Sequence, residues 1–364
     1  MTDPRSEPQS VPAVLSALRP RRQSPLRIAG QIIGFIVCLS ILVFVVYRAF
    51  TRPESAAQLE RLAAASWWQV AALLACSFAT VTLGGLGFAA VLRPVQRLRR
   101  TDAVAVNGVV SVISYLPFKI GLAFRIYWHH RHDRVPLLVI AAWFAATAAL
   151  ILTALAPPLL ASLWRGTIDA LWFVTSAVGM LLAGALIVII ARALAGERGL
   201  QRIRRAAGVL RIAFLDRVLT SARFRHLHGG TAMLGSPAAV AQMLLLRTLD
   251  VASQAVRLYI AAQVCGVALE PSQAVLAGST YFFLQAATPT GVAGVREGGT
   301  IGVMAALGVP DLTVVVLTAS LAEVVANVVM AAAGGAWLRW GYRTATVPPT
   351  SVAASPAPYS AHNS

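Results

Sequence analysis

The sequence predicts an all-α fold: a polytopic transmembrane helix bundle of about six spans with two opposed re-entrant hairpins, arranged as in an inverted repeat. Three observations predict it. Of the 364 residues, 57% are hydrophobic and 12% charged, with a mean hydropathy of +0.70; a soluble domain carries about a quarter charged residues. Apolar runs of twenty or so residues recur, long enough as helices to cross ~30 Å of hydrocarbon. Two stretches of the same depth carry charge together with helix breakers. One is Ser114 to Gly121, with Pro117 and Lys119; the other is Thr288 to Gly298, with Pro289, Gly291, Gly294, Arg296 and Glu297. In hydrocarbon an unpaired amide or bare charge costs several kcal/mol, so such segments persist only against protein or a wet cavity.

Residues 1–27 are rich in Pro, Ser and Arg, lack helical periodicity and read as a disordered basic cytoplasmic tail. Span one is Ile28 to Phe50. Arg19, Arg21, Arg22 and Arg27 precede it as in a signal sequence, but the run is too long and no small-x-small cleavage site follows, so the span is retained. The connection with Arg52, Glu54, Glu60 and Arg61 is charge-balanced and suits the outer face. Span two, Trp67 to Leu92, starts on an interfacial Trp pair and exits into Arg93, Arg97, Arg99 and Arg100 on the cytoplasmic side.

Basic clusters flank residues 103–128 at both ends, the second being His129 to Arg134. A full crossing would place one cluster outside, so this stretch reads as a re-entrant hairpin broken by Pro117 and Gly121. Span three is Leu137 to Leu163 and span four Ala170 to Leu194. The basic segment 196–230 reads either as an amphipathic helix on the inner leaflet or as a solvated loop; its stretch 196–228 holds eight arginines against Glu197 and Asp216. Span five is Ala238 to Val267. Residues 271–307, broken at Pro289 and a glycine run, re-enter from outside. Span six, Leu312 to Leu338, returns to Arg339 and Arg343 before a disordered tail at 341–364. Both termini are then cytoplasmic, in a multi-pass protein of the cell (inner) membrane. Broken segments at corresponding places in the two halves point to a site near the midplane.

The formal charge of +17, from 31 basic and 14 acidic side chains, is spread beside the apolar runs. That placement is the positive-inside pattern and favours anionic headgroups over nucleic acid. Cys38, Cys76 and Cys265 lie in apolar stretches and read as buried thiols. His129, His130 and His132 diverge around a helix without acidic or thiol companions, so a basic interfacial patch is expected there and no metal site. No phosphate-binding loop, zinc motif or nucleophile elbow occurs, which argues against an enzyme and against any cofactor.

Arg247, Asp250, Gln254 and Arg257 are spaced to share one face of span five. Either Arg247 and Asp250 neutralise each other, or the face serves a polar ligand. Arg296 and Glu297 are adjacent, about 100° apart on a helix, and are expected not to pair well with each other. Glu297 would then meet Arg247 or Lys119 and leave Arg296 facing a cavity, unless the residues form a purely structural ion pair. Gly294, Gly298 and Gly302 make a small face for close helix approach. Glu323, in a stripe with Ser320 and Asn327, is either a partner for Arg247 or Arg257 or part of the ligand site. Lys119 and Arg125 either belong to that site or snorkel to the inner headgroups. Five cations (Lys119, Arg125, Arg247, Arg257, Arg296) against three anions (Asp250, Glu297, Glu323) leave two uncompensated. A phosphate headgroup is the natural counter-ion, because arginine pairs with it bidentately.

Leu116-Pro117-x-Lys119-x-Gly121-x-x-x-Arg125 and Pro289-x-Gly291-x-x-Gly294-x-x-Glu297, the latter followed by Leu307-Gly308-Val309-Pro310, resemble the two signature elements of the lysylphosphatidylglycerol synthase transmembrane, or flippase-like, family. The resemblance extends over about residues 28–340. Leu122 stands where the family has an acidic residue, Ala141 to Thr147 carries no charge, and Glu323 replaces an arginine. The resemblance implies a membrane domain that moves a lipid or lipid-like anionic amphiphile between leaflets. Aminoacylation is not expected, since a Pro/Ala/Ser tail follows Tyr342 where the synthases continue into a soluble domain. The alternative is a non-transporting scaffold that recruits a lipid or envelope biosynthesis enzyme at the cytoplasmic face.

Overall fold

The computed structural model describes residues 25–116, 120–196, 199, 201–202, 205, 230–287, 294–309 and 311–344. Pro117, Lys119, Pro289 and Gly291, most of the basic segment 196–230, and residues 1–24 and 345–364 lie outside the described residues; residues 25–27 and 341–344, expected in the tails, instead belong to helices. Among the described residues the elements are twelve helices, with no strand.

The first helix, α1 (Pro25–Thr51), is followed by α2 (Pro53–Ala63), where Pro53 occupies the first helical turn and needs no amide partner. α3 (Trp67–Leu92) starts where the Gln69 side chain accepts the Ser66 amide at 3.0 Å. α4 (Arg100–Ile113) and α5 (Ile120–Arg131) come next. α6 (Leu137–Arg165) runs on through Pro157 and Pro158 and stops at Gly166, whose φ of 67° suits glycine. Asp169 caps α7 (Ala170–Leu194) by accepting the Trp172 amide at 2.7 Å. After the one-turn α8 (Thr231–Leu234) come α9 (Pro237–Cys265), α10 (Pro271–Ala287), α11 (Val295–Ala306) and α12 (Thr313–Thr344).

Among the described residues five helical segments are long and apolar enough to cross a membrane: Ile32–Thr51, Trp67–Leu92, Leu137–Arg165, Ala170–Leu194 and Thr313–Gly341. The sixth expected span, α9, has the length, since 29 residues rise ~44 Å. Arg247, Asp250 and Arg257 in its interior keep it out of the apolar class. α9 is the centre of the bundle and packs on α3, α6, α10 and α12. Its inner side belongs to two apolar clusters, one around Leu258, Tyr281 and Val315, the other around Leu92, Trp143 and Met243. α1 and α7 sit at the edge, with Ile33, Phe44, Leu181 and Ile189 among their exposed side chains.

Each broken stretch is a pair of short helices in contact. α4 and α5 have 14 and 12 residues, ~21 and ~18 Å, too short to cross hydrocarbon singly. Gly121 lets α5 close on Ser114 and on the Val110 carbonyl. α10 and α11 pair likewise. Glycines draw α4 between α3 and α12: a Cβ on Gly85 would lie 2.7 Å from the Val104 Cα, and one on Gly108 2.6 Å from the Met330 carbonyl. Of the expected small face on α11, Gly294 and Gly298 do meet α1, at Cys38 and Ile41, but Gly302 faces open space. At the α11–α12 connection Asp311 accepts from Arg52 at 2.9 Å and Arg48 at 3.1 Å, which ties the end of α1 to the start of α12.

Candidate functional site

The first turn of α11 begins at Gly294, which adopts φ 91° with its amide donating to Glu297 Oε2 at 2.7 Å. Glu297 thus folds back as a cap, and its Oε1 accepts Arg296 Nε at 2.9 Å, Arg296 Nη2 at 2.7 Å and the Ser320 hydroxyl at 2.9 Å. This corrects the expectation that the two neighbours do not pair. The 100° argument governs Cβ directions, whereas at a helix start both side chains can curl toward the open N-terminus. Nor does Arg296 face a cavity; it is 1% exposed.

Glu323 of α12 joins this pair to α9. Its Oε1 accepts Arg296 Nη1 at 2.6 Å and its Oε2 accepts Arg257 Nη2 at 2.8 Å. Tyr281 of α10 donates to Glu323 Oε2 at 3.2 Å and lies 2.8 Å from the Ser320 hydroxyl. Its ring is 4.4 Å below the Arg296 guanidinium. Two arginines and two carboxylates therefore alternate in a fully buried line across α9, α12 and α11. Such a line supports itself only because nearly every donor has an acceptor.

Arg247 is tied elsewhere. Its Nη1 donates to Asp250 Oδ2 at 2.7 Å, one helical turn along α9, rather than to Glu297 or Glu323. Among the described residues, Arg247 Nε and Asp250 Oδ1 are buried without a hydrogen-bond partner. Arg125 of α5 is also buried, so it does not snorkel; it donates to Asn107 Oδ1 and lies 3.8 Å over the Phe88 ring. Asn107 in turn donates to the Val81 carbonyl at 2.7 Å. Among the described residues no carboxylate lies within ion-pair distance of Arg125.

A cavity of ≈ 240 Å³ opens between these two groups. Arg247, Asp250 and Glu323 form its charged side, Gln254, Asn107, Tyr115 and Asn327 its uncharged polar side, and Phe88, Ile151 and Phe282 apolar walls. Tyr115, at the end of α4, receives the Asn327 amide at 2.9 Å. Arg257, Arg296 and Glu297 stand behind the wall; Arg125 reaches it only through Asn107 and Phe88. In this cluster the described cations are Arg125, Arg247, Arg257 and Arg296 and the anions Asp250, Glu297 and Glu323, which leaves one positive charge.

Several contributors were not singled out from the sequence: Tyr281, Asn107, Ser77 (which receives Arg257 Nη1 at 3.3 Å) and the Phe88 ring. An uncharged polar residue inside an otherwise apolar helix, such as Asn107 or Ser77, is the signal that could have found them. The histidine patch does have an acidic companion, contrary to expectation, and takes three separate partners: His129 binds Asp133 at 2.7 Å, His130 the Val135 carbonyl at 3.0 Å, and His132 stacks on Trp128.

The family model for the lysylphosphatidylglycerol synthase transmembrane region matches residues 31–335. Comparison with curated proteins and with solved structures found no match.

Proposed function

The chain belongs to the lysylphosphatidylglycerol synthase transmembrane-region family of integral membrane domains, and on that premise we propose that it translocates a lipid or lipid-like anionic amphiphile between leaflets. The observation that carries this reading is the Arg247–Asp250 pair on the cavity wall. Both residues line the cavity and each keeps one buried polar atom without a partner, and among the described residues the cluster around them holds one more cation than anion.

A cavity of ≈ 240 Å³ is smaller than the about 300–1,000 Å³ of ordinary small-molecule sites, so it suits a headgroup and not a whole lipid. Arg247 binds the phosphate, with Gln254, Asn107 and Asn327 as further hydrogen-bonding groups, while acyl chains stay in the hydrocarbon. Arg125 supplies charge from behind Asn107. The Arg257–Glu323–Arg296–Glu297 line, in which Arg257 Nε alone lacks a partner among the described residues, holds the broken helices in place rather than binding substrate. The two short-helix pairs enter from opposite faces in this account and gate the cavity in turn, as an inverted repeat permits.

The test is leaflet exchange of a headgroup-labelled phosphatidylglycerol in reconstituted vesicles. Wild type exchanges lipid faster than empty vesicles, and Arg247→Gln reduces that excess at least tenfold with the fold retained. Exchange by wild type no faster than in empty vesicles overturns the proposal, and a fully active Arg247→Gln overturns the role of the pair. A scaffold with purely structural charges predicts the first of these results.

A further inference from the structure

A second cleft lies at the arginine-rich end of α3, outside the central cavity. Its volume is ≈ 380 Å³, and Arg93, Arg97 and Arg100 surround it, with Gln242 of α9 beside them. Among the described residues none of these arginines has a carboxylate in ion-pair distance. Asp102, on the same turn as Arg100, is buried and accepts Trp337 Nε1 at 2.8 Å. Three cations therefore converge on one small space with no internal anion.

Leu86 and Arg100 also line an adjoining groove of ≈ 390 Å³ between α3, α4 and α12, where the other walls include Val104, Met330 and Trp337. The groove is almost wholly apolar. Arg93 follows directly on Leu92, the last residue of an apolar helix, so the basic cleft stands where headgroups meet hydrocarbon.

We propose that cleft and groove form one binding site for an anionic phospholipid, with its phosphate among Arg93, Arg97 and Arg100 and an acyl chain along the groove. Charge selects the anion, since each basic side chain near the headgroups contributes about 1 kcal/mol toward an anionic lipid. The shared wall selects an amphiphile: free phosphate needs only the cleft, and an acidic protein segment has no use for the groove. None of the residues that line the cleft or the groove lines the central cavity. The bound lipid is therefore not the one being translocated, and the site stands whether or not exchange occurs.

The experiment measures lipid retained by the purified protein in native mass spectrometry, after titration with dioleoylphosphatidylglycerol or dioleoylphosphatidylcholine. Wild type retains the anionic lipid in preference. R93Q/R97Q/R100Q weakens that retention by roughly fivefold per arginine, R93K/R97K/R100K largely preserves it, and Ala333→Trp, which fills the groove, lowers it with every arginine intact. Millimolar inorganic phosphate does not displace the lipid. Equal retention of the two lipids, or wild-type retention by the glutamine variant, overturns the proposal. Displacement by phosphate together with an inert Ala333→Trp shows a simple anion site and overturns it too. If the glutamine variant does not fold, the lysine and Ala333→Trp variants still decide. Leaflet exchange is read separately, so failure here is distinct from failure of the transport reading.

Discussion

The ring of Tyr115 lies 5.9 Å from the guanidinium carbon of Arg296. Tyr115 lies just past the end of α4 and Arg296 in the first turn of α11, so the described flanks of the two broken stretches come together. An aromatic face over a buried cation is worth about 2 kcal/mol when water is excluded. The central cavity opens at this meeting point, with Tyr115 in its wall.

Glu323→Gln removes a charge that two arginines share, and leaves Arg257 and Arg296 buried with Glu297 as their only remaining anion in the line. Breaking a buried pair in this way costs about 3–5 kcal/mol. Thermal melting in detergent should show a large loss; a shift within error would mean that the line carries no stability.

Arg247 and Asp250 can be removed together. Arg247→Gln alone strands a buried carboxylate, whereas the double variant with Asp250→Asn is neutral and should recover most of the lost stability. Leaflet exchange should stay low in both. Recovery of exchange along with stability would reduce the pair to a structural role.

Gly294 and Gly302 respond oppositely to alanine. At Gly294 the φ of 91° costs a side chain about 1–2 kcal/mol, and its Cβ would strike the Cys38 carbonyl besides. At Gly302 nothing lies within 4 Å, and helix propensity favours alanine by about 0.5–1 kcal/mol. Melting temperatures should therefore fall for the first variant and rise slightly for the second.

Acid should loosen the α1–α12 tie. Partial burial pushes the Asp311 carboxyl upward, but the Thr313 hydroxyl and amide and the Arg48 guanidinium outweigh it, so the group titrates below an ordinary aspartate. A depressed acid contributes stability above its unfolded value, near pH 4, and loses it as pH falls through the folded one. Melting followed downward from about pH 5 should fall more steeply in wild type than in Asp311→Asn; parallel slopes would show that Asp311 has no part in it.

Helix positions were largely legible because hydropathy and breakers act locally. Trp67–Leu92 and Ala170–Leu194 match the expected spans residue for residue, and Gly294 does mark a helix start. The shared face of Arg247, Asp250, Gln254 and Arg257 was also readable, since helical spacing alone decides it. Which cation meets which anion was not. Glu323 pairs with Arg257 and Arg296 rather than Arg247 because of how α9, α11 and α12 dock, and no single helix carries that information. α2 lay hidden in a charge-balanced connection, where alternating Glu and Arg look the same in a loop and on a short surface helix.

The bond between Arg257 and Glu323 joins residues 66 positions apart. During synthesis the cation is therefore made 66 residues ahead of its counter-ion. A lone arginine at the centre of a helix opposes insertion by about 2.5–3.5 kcal/mol. Until α12 emerges, α9 must wait against a helix already delivered, and α3 offers it the Ser77 hydroxyl. Full charge compensation of the central helix therefore requires the last one, because Glu323 comes from α12.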